Sequence, residues 1–504
     1  MAFTADHREP MKLSKEQLSR EPVRIVAPPF AKHTSPTTIA TIQLSNLDML
    51  FDYYNSVVLF YDVHHPHSSL LQDQTPPQPQ CTPSEPVARL HRAVEELLLH
   101  YPCAGGLLVL NDTSGRLEVQ YLKYVGCDAA DSEQPLISNN ASNHAGSPSF
   151  GVPFHVAHAN VSLAELGDVS NPHPSLDLLF PSKPVEGDDS DERRLQRHVL
   201  AFQVTTFKCG GFTLASTCSN VYADGYTGAR LLQNLCSLAR GAGLASRPPD
   251  ISQTRTLVLG AREPPTPTVH HPFIQARKPK EKPPLKHLHY GAAIRFAFDE
   301  NVLERLRAHA AKDGNCMIYS RNQALMALLS TAFGRVSVKV HALPKTHVMN
   351  LRFPINLRTR GIPNLTIGYM GNAICQCAVS ATLQELCESP LGKVADKFRS
   401  TMGSLDFHEC VQSVVDYVEL QLRDGLIPYT VGLSMTSLVG LPFYDTDCGW
   451  GNPMYVSRPS QQLSDRCIIL DHPAARAWNV LVVFSSSEEH SCFKESIAEY
   501  IDSS

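Results

Sequence analysis

The residues of this chain that could do chemistry are not arranged in any of the common catalytic signatures. GxSxG, GxxxxGK[ST], GxGxxG and HExxH are all missing, which argues against the usual serine hydrolase, P-loop, dinucleotide-binding and zinc-peptidase sites. Histidines that could in principle ligate zinc cluster at three places, His64-His65-x-His67, His270-His271 and His287-x-His289. These clusters lie in proline-rich segments and lack the paired spacing of a structural zinc site. We therefore predict solvated loops there and no metal.

Two carboxylates stand beside glycines, where a carboxylate can either serve catalysis or hold a loop. Asp224-Gly225 follows two β-rich runs between His198 and Thr217 and precedes leucines at helical spacing, which are Leu231, Leu232, Leu235 and Leu238. An aspartate at the start of a helix can cap the free amides and complement the positive end of the helix dipole. A structural role is therefore the favoured prediction for Asp224. Asp447, in the segment DCGWG, has the same two interpretations.

The loop that carries Asp224 belongs to a longer alternation of helices and strands. The first half predicts a helix through Leu90, Val94, Leu97 and Leu98, followed by a hairpin of GLLVL and RLEVQYL. The second half predicts helices at Val302 to Ala311 and Arg321 to Phe333. Its predicted strands are AAIRFAFD, HVMNLRFPINL, TVGLSMTSLV and AWNVLVVFS. These patterns predict two α/β domains of similar size.

Four stretches are rich in proline, polar or charged residues and cannot bury enough apolar area to offset the cost of ordering the chain. Three of them, residues 64–86, 128–149 and 182–194, are predicted to be surface insertions. The fourth, from Arg247 to Tyr290, lies near the middle of the chain and is predicted to be the interdomain linker. The resulting division is 1–246, 247–290 and 291–504.

Composition limits the class of protein and its partners. The chain has 504 residues, of which 43% are hydrophobic and 18% charged, so a disordered chain or a coiled coil is excluded. The formal charge of −5 argues against a nucleic-acid partner, which would favour a basic excess. The first residues lack the apolar core of a secretory signal, and proline, glycine and polar residues interrupt the long uncharged stretches. We therefore predict a cytoplasmic protein without a transmembrane segment, whose cysteines are free thiols.

Several longer segments resemble the plant BAHD acyltransferases, and the resemblance extends from Val23 to Phe493. In the first half it rests on LSNLDMLFDYYNSVVLFYD, YPCAGGLLVLNDTSGRLEVQY and VTTFKCGGFTLAST. In the second half it rests on FPINLRTRGIPNLTIGYMGNA and on YDTDCGWGNPMYVS, which resembles the DFGWG signature of the family. These features occur in the order of the family and at suitable spacing, so together they are specific where each alone would be weak.

The resemblance implies a fold and an activity. The fold would be α/β, with two similar-sized mixed-sheet domains of the chloramphenicol acetyltransferase-like type joined by a long crossover linker. The reaction would transfer an acyl group from a coenzyme A thioester to a small-molecule alcohol or amine in a channel between the domains. No tightly bound cofactor is implied, because acyl-CoA is the co-substrate.

The general base of the family is a histidine in an HxxxD motif, and here that motif reads Asn220-Val221-Tyr222-Ala223-Asp224. An amide cannot take up a proton near neutral pH, whereas a neutral imidazole can. Losing a positioned general base typically costs about 10²- to 10⁴-fold in rate. The resemblance therefore predicts slow transfer, unless Tyr222 or Asp224 replaces the base. Neighbours on one loop generally point elsewhere, and neither residue is favoured for that role.

The remaining motif residues are implied to be mainly structural. Asp447 resembles a partner of the arginine in the N-x-R strand, so the resemblance predicts an ion pair between Asp447 and Arg358. Gly449 and Gly451 would form tight turns, and Trp450 would pack to fix the loop. Cys448 stands where the family has phenylalanine, which changes the local packing but not the fold.

The segment before that motif bears on the acceptor. The family usually has Thr-Ser-Trp here, and members that act on shikimate or quinate can have an arginine two residues after the tryptophan. This chain has Leu438 and Gly440 at those positions, which disfavours an acidic acceptor and favours an apolar or roomy pocket. Thr436 is a candidate donor to the developing oxyanion, or simply a strand residue.

Two functions follow from these residues. The first is a monomeric acyltransferase of plant specialised or surface-lipid metabolism, with the catalytic candidates Asn220, Asp224 and Thr436. The second is a non-catalytic protein that binds acyl-CoA or a partner protein, similar in kind to the eceriferum-type relatives that assist fatty-acid elongation. The retained motif residues fit both functions, because they belong to the scaffold.

Overall fold

The fold is described from a computed structural model of the chain, which covers residues 13–29, 37–63, 84–111, 113–124, 150–181, 197–247, 255–278, 281, 290–463, 466–473 and 476–501. The predicted insertions at 128–149 and 182–194 lie outside these residues, as does 64–86 except for its last three positions. His64 to His67 and His287 to His289 also lie outside them. In the remaining histidine cluster, His271 is 4% exposed, so the predicted solvated loop is wrong for that residue.

The first half of the described chain holds two sheets, two long helices and a short one. Its strands are β1 (Leu18–Arg20), β2 (Arg24–Val26), β3 (Thr37–Gln43), β4 (Tyr54–Tyr61), β5 (Leu107–Asn111), β6 (Arg116–Tyr124), β7 (Val152–Ala159), β8 (Arg197–His198), β9 (Leu200–Phe207) and β10 (Phe212–Ser219). Its helices are α1 (Ser84–His100), α2 (Gly225–Arg240) and α3 (Arg255–Val258). A large sheet has the strand order β1-β7-β9-β10-β4, and a smaller one has the order β3-β6-β5-β8.

The second half is built around another large sheet. Its strands are β11 (Ile274–Arg277), β12 (Tyr290–Phe298), β13 (Val348–Asn356), β14 (Ile374–Thr382), β15 (Ile427–Thr430), β16 (Leu433–Ser437), β17 (Tyr455–Ser457), β18 (Gln461–Leu463), β19 (Arg466–Asp471) and β20 (Trp478–Phe484). Its helices are α4 (Glu300–Asp313), α5 (Arg321–Lys339), α6 (Leu383–Glu388), α7 (Leu391–Ser404), α8 (Phe407–Arg423) and α9 (Ser487–Ile501). The sheet order is β14-β13-β16-β19-β20-β12-β18, and β11 pairs with β15.

The predicted mixed α/β class and most of the predicted elements are confirmed. The β5 and β6 segments form the expected antiparallel hairpin, and β10 leads through a short loop into α2. One prediction was wrong in detail, because TVGLSMTSLV is not a single strand. Gly432, at a φ of +90°, breaks it between β15 in the small sheet and β16 in the large one.

The two halves interlock through one strand. β17 comes from the second half of the sequence, yet it pairs with β4 and completes the large sheet of the first half. The predicted domain boundaries at 246 and 291 stay a prediction. β17 follows both boundaries in the sequence, but it belongs to the sheet of the first half. The crossing places the segment after Asp447 beside the strand that carries Asn55.

A separate apolar core supports each half. One cluster packs α1 and α2 on the first large sheet through residues such as Leu90, Phe154 and Leu235. The other packs α5 and α7 on the second large sheet through residues such as Leu328 and Phe398. The site described next is lined by strands of both large sheets. No helix among the described residues is long and apolar enough to cross a bilayer.

Candidate active site between the two halves

A cavity of about 210 Å³ lies between the halves. The first half contributes the ends of β4 and β10 and one face of α2, and the second half contributes β13, β14, β16 and β19. Apolar residues on its wall include Val57, Leu200, Leu231, Leu232, Ile374, Leu438, Phe443 and Ile468. Polar residues on its wall include Asn55, Asn220, Arg352, Gln376, Thr436 and Arg458. The cavity thus brings together Asn220 and Thr436, which are 216 residues apart, on walls from opposite halves.

The loop between β10 and α2 is held by its backbone. The amide of Asn220 donates to the carbonyl of Tyr53 at 2.8 Å, and Nδ2 of Asn372 donates to the carbonyl of Asn220 at 2.6 Å. Arg255 donates to the carbonyls of Val221, at 3.4 Å, and Tyr222, at 2.8 Å. The Arg255 side chain is almost fully buried and pairs with the buried carboxylate of Asp48 at 3.2 Å. The loop therefore has little freedom to move Asn220 along the cavity wall.

The side chain of Asn220 is 5% exposed and lines the cavity. Its Oδ1 accepts a hydrogen bond from Nδ2 of Asn55 at 2.7 Å, and Oδ1 of Asn55 accepts one from Nη2 of Arg458 at 3.3 Å. No described residue accepts a hydrogen bond from Nδ2 of Asn220. The position that the resemblance assigns to a base is thus taken by an amide whose acceptor atom is already occupied.

Asp224 is a structural residue in this arrangement. Its Oδ1 accepts from the amide of Thr227 at 2.9 Å, which is the predicted helix cap. Its Oδ2 accepts from Nη1 of Arg358 at 2.7 Å and from the amide of Ala373 at 3.1 Å. Both side chains of the ion pair are at most 2% exposed. Asp224 also lines the cavity, but its oxygens are engaged by Thr227, Arg358 and Ala373, so it is poorly placed to accept a proton from a ligand.

The predicted ion pair between Asp447 and Arg358 is wrong. Arg358 extends from the end of β13 to Asp224, and it also donates to the carbonyls of Tyr369 and Gly371. Asp447 instead pairs with Arg240, the last residue of α2, at 3.0 Å. The reason is that β17 draws the Asp447 segment onto the first sheet, next to the C-terminal end of α2, while Arg358 meets its N-terminal end.

Asp447 stabilises its own loop. Its Oδ1 accepts from the amides of Gly449, at 2.7 Å, and Gly451, at 2.9 Å, which have φ angles of +100° and +85°. Trp450 is buried between the guanidinium of Arg89, 4.2 Å from its ring centroid, and the ring of Phe212. The expected tight turns and the expected packing of Trp450 are therefore both present.

Tyr222 points away from the cavity. Its hydroxyl is fully buried, 3.5 Å from Sγ of Cys103 and 3.8 Å from Sδ of Met370. Burial raises the pKa of Tyr222 well above its usual value of 10. A phenol in this setting keeps its proton at neutral pH and has no route to a ligand in the cavity. Tyr222 therefore does not replace the missing base.

Thr436 lies on β16 and lines the same cavity as Asn220. Its Oγ1 is 3.4 Å from Oγ of Ser434, a weak contact that leaves the hydroxyl able to turn. The strand position and the donor role are therefore compatible, and the donor role stays a prediction.

Sequence reasoning missed the polar residues that accompany Asn220. Arg352 on β13 donates to the carbonyl of Gly432 and lines the cavity, as do Arg458 and Asn55. The sequence predicts an apolar or roomy pocket, because Leu438 and Gly440 replace a tryptophan and an arginine of the family. Arg352 on β13 and Arg458 directly after β17 nevertheless line the wall, so only part of the cavity is apolar. Neither arginine has a recognisable signal in the sequence, because neither stands at a motif position.

Comparisons with known proteins agree with this architecture. The model of a family described as the Transferase family matches residues 147–499, which is more than half of the chain. The chain belongs to the Transferase family. The BAHD resemblance is thereby confirmed at the level of the family, while the consequence of Asn220 is a separate question.

Individual relatives are distant in sequence but similar along most of their length. Shikimate O-hydroxycinnamoyltransferase of Nicotiana tabacum is 25% identical over 363 residues, which are 69% of this chain and 80% of that protein. The crystal structure of vinorine synthase superposes with a TM-score of 0.65 at 19% identity, covering 96% of this chain and 98% of that one. F. graminearum TRI101 complexed with ethyl coenzyme A gives a TM-score of 0.65 at 15% identity, covering 90% and 96%. The predicted two-domain acyltransferase fold is confirmed.

Proposed function

We propose that this protein transfers an acyl group from a coenzyme A thioester to an alcohol or amine, without a histidine base. The observation that carries the proposal is the cavity between the halves, with Asn220 on one wall and Thr436 on the other. Family membership and a relative named for hydroxycinnamoyl transfer support the reaction type. A structural neighbour complexed with ethyl coenzyme A supports acyl-CoA as the donor.

The transfer would proceed by attack of the acceptor oxygen or nitrogen on the thioester carbonyl carbon. The carbon–sulfur bond breaks, and coenzyme A leaves as the thiol with the proton that the acceptor loses. Positioning and oxyanion stabilisation can accelerate this step without a base. The reaction should nevertheless be about 10²- to 10⁴-fold slower than with a positioned general base. We therefore propose a slow enzyme, monomeric and cytoplasmic, in plant specialised or surface-lipid metabolism.

Asn220 also favours a second candidate function. Asn220 cannot deprotonate an acceptor, and its Oδ1 is already hydrogen-bonded to Asn55. A protein with this site could bind acyl-CoA, or a partner enzyme, without turnover. The cavity and the buried Asp224–Arg358 pair would serve such a protein equally well.

A thiol-release assay separates the two candidates. Purified protein is given aromatic and aliphatic acyl-CoAs with mixed alcohol and amine acceptors, and the native chain is compared with Asn220→His. Acceptor-dependent release of coenzyme A by the native chain, unchanged or lowered by the histidine, is the result expected of a working site. A silent native chain that gains activity in Asn220→His would instead favour the binding function. Absence of both release and acyl-CoA binding would overturn the transferase and the acyl-CoA-binding function, and would leave only the binding of a partner enzyme.

A further inference from the structure

Three side chains on the cavity wall form a chain of hydrogen bonds with a fixed direction. Arg458, directly after β17, donates through Nη2 to Oδ1 of Asn55, and Asn55 donates through Nδ2 to Oδ1 of Asn220. Arg458 is 7% exposed and Asn220 is 5% exposed. The three residues come from the second half of the chain, from β4 and from the loop before α2. We call this set the Arg458 relay.

The direction of the relay follows from the chemistry of arginine. A guanidinium has only donors, so Asn55 must turn its oxygen toward Arg458 and its NH₂ toward Asn220. Asn220 must then offer its oxygen to Asn55 and turn its own NH₂ away. The orientations of both amides are therefore fixed by Arg458, the end of the relay that can only donate.

The NH₂ group of Asn220 is therefore the end of the relay that meets the cavity. The backbone of Asn220 is held at both its amide and its carbonyl, so the side chain cannot escape by moving the loop. Asn220 is 5% exposed, and no described residue accepts from its Nδ2, so in the cavity this donor pairs with water or with an acceptor atom of a bound ligand. The wall thus presents a donor at the position where a catalytic base would present an acceptor.

We propose that Asn220 donates a hydrogen bond to the carbonyl oxygen of the acyl thioester, and that Asn55 and Arg458 are positioning residues that keep its amide in this orientation. The proposal rests on the proposed function, since that function is what places acyl-CoA in the cavity. An alcohol or amine acceptor can both donate and accept a hydrogen bond, whereas the thioester carbonyl can only accept one. Of the two substrates, the thioester is therefore the one whose reacting group requires a donor from the wall.

The same contact would act on the reaction. As the acceptor attacks, the electron pair of the carbonyl moves onto its oxygen, which becomes an oxyanion. The electron pair returns to re-form the carbonyl when the carbon–sulfur bond breaks, and the thiol leaves with the proton of the acceptor. A preorganised donor at this oxygen typically contributes about 10²- to 10³-fold to the rate. Asn220 would be a catalytic residue that stabilises the oxyanion, and Thr436 on the opposite wall could contribute a second donor.

The first test compares two ligands that differ only at the carbonyl. Binding of hexanoyl-CoA and of its thioether analogue S-hexyl-CoA to the full chain is measured by isothermal titration calorimetry. We expect the native protein to bind the thioester about fivefold more tightly, as one net hydrogen bond allows. Asn220→Asp keeps the size of the side chain and still accepts from Asn55, but it cannot donate, so the preference should disappear.

The outcomes separate the donor role from the proposed function. Equal binding of thioester and thioether by the native chain would overturn the donor role while leaving the acyl-CoA site intact. Failure of both ligands to bind would count against the proposed function, and with it against the donor role. A preference that survives in Asn220→Asp would also overturn the proposal.

The second test reverses the relay without touching Asn220. In Asn55→Asp the new carboxylate can only accept, so Asn220 must turn its NH₂ toward it and its oxygen toward the cavity. The added carboxylate faces Arg458, so thermal stability should hold or rise, while the preference for the thioester is lost. Asn350→Asp, which adds the same charge on β13 at a residue that does not line the cavity, is the matched control and should leave the preference unchanged.

Arg458 is tested by a conservative pair of changes. Arg458→Lys keeps a side chain that only donates and should retain the preference for the thioester. Arg458→Met removes the donor and lets both amides turn over, so the preference should fall, and kcat should fall more than KM rises. Equal effects of the two substitutions on ligand preference would show that the relay does not set the orientation of Asn220.

Discussion

Replacing Asp224 by asparagine should destabilise the protein far more than the same change at Asp447. Both carboxylates pair with an arginine, but their surroundings differ. The side chains of Asp224 and Arg358 are 2% and 0% exposed, whereas those of Asp447 and Arg240 are 25% and 47% exposed. Removing the charge of Asp224 would leave a guanidinium in the interior without its counter-charge.

The magnitude follows from that burial. Breaking a buried ion pair at one partner costs about 3 to 5 kcal/mol, because the remaining charge stays desolvated. Asparagine keeps an oxygen for the amide of Thr227, so little of the cost should come from the helix cap. At Asp447 the asparagine oxygen can still accept from Gly449 and Gly451. Only an exposed ion pair is lost there, worth about 1 kcal/mol or less.

Urea unfolding followed by circular dichroism measures both changes. A double-mutant cycle with Arg358→Met should give a coupling of about 2 kcal/mol or more to Asp224→Asn and almost none to Asp447→Asn. Equal costs of the two asparagine variants, or coupling of Arg358 to Asp447, would refute the assignment of the partners and restore the pairing that the motifs suggest.

Two further predictions concern the linker and the DCGWG loop. Burial lowers the pKa of His271 to about 4, and its Nε2 lies 2.9 Å from Oγ of Ser413. Below pH 6.5 the imidazole of His271 becomes protonated in the unfolded chain but stays neutral in the folded one. The free energy of unfolding therefore falls as the pH is lowered from 6.5 to about 4. His271→Asn should flatten that part of the stability profile in urea titrations at several pH values, and an unchanged slope would contradict the prediction. Gly449→Ala should lower the melting temperature, because φ is +100° and the new Cβ would lie 2.5 Å from Nη1 of Arg89. Gly403→Ala, on a helix with open space around it, is the control and should be neutral or stabilising, since alanine favours helix by about 1 kcal/mol.

Much of the architecture could be predicted because the signals are local. Leucines at helical spacing identify α2, and the aspartate before it caps the helix through contacts three residues away. The β5–β6 hairpin could likewise be predicted, because its two strands and its turn are adjacent in the sequence. The break of TVGLSMTSLV was missed, because the two flanking strands join different sheets and only their pairing partners, not the segment, decide where one strand ends.

The residues of the site could be predicted only where a motif carried them. Asn220, Asp224, Thr436 and Asp447 are found by their place in recognisable segments, and the sequence also establishes that the histidine is absent. Asn55 lies in the recognisable segment LSNLDMLFDYYNSVVLFYD, but neither it nor Arg352 nor Arg458 stands at a motif position. They were missed because residues along or just after a strand do not reveal which of them will face a cavity formed with another domain.

The sequence by itself thus determined the alternation of elements, the family and the identity of the residue at the catalytic position. The tertiary structure decided which side chains of the site contact one another. Arg358 meets Asp224 across 134 residues, Asn55 meets Asn220 across 165, and Arg458 meets Asn55 across 403. These contacts depend on how two sheets face each other and on a strand that crosses between the halves, and both are set by long-range packing rather than by local sequence. That packing is what turns an asparagine in a motif into a donor with a fixed direction.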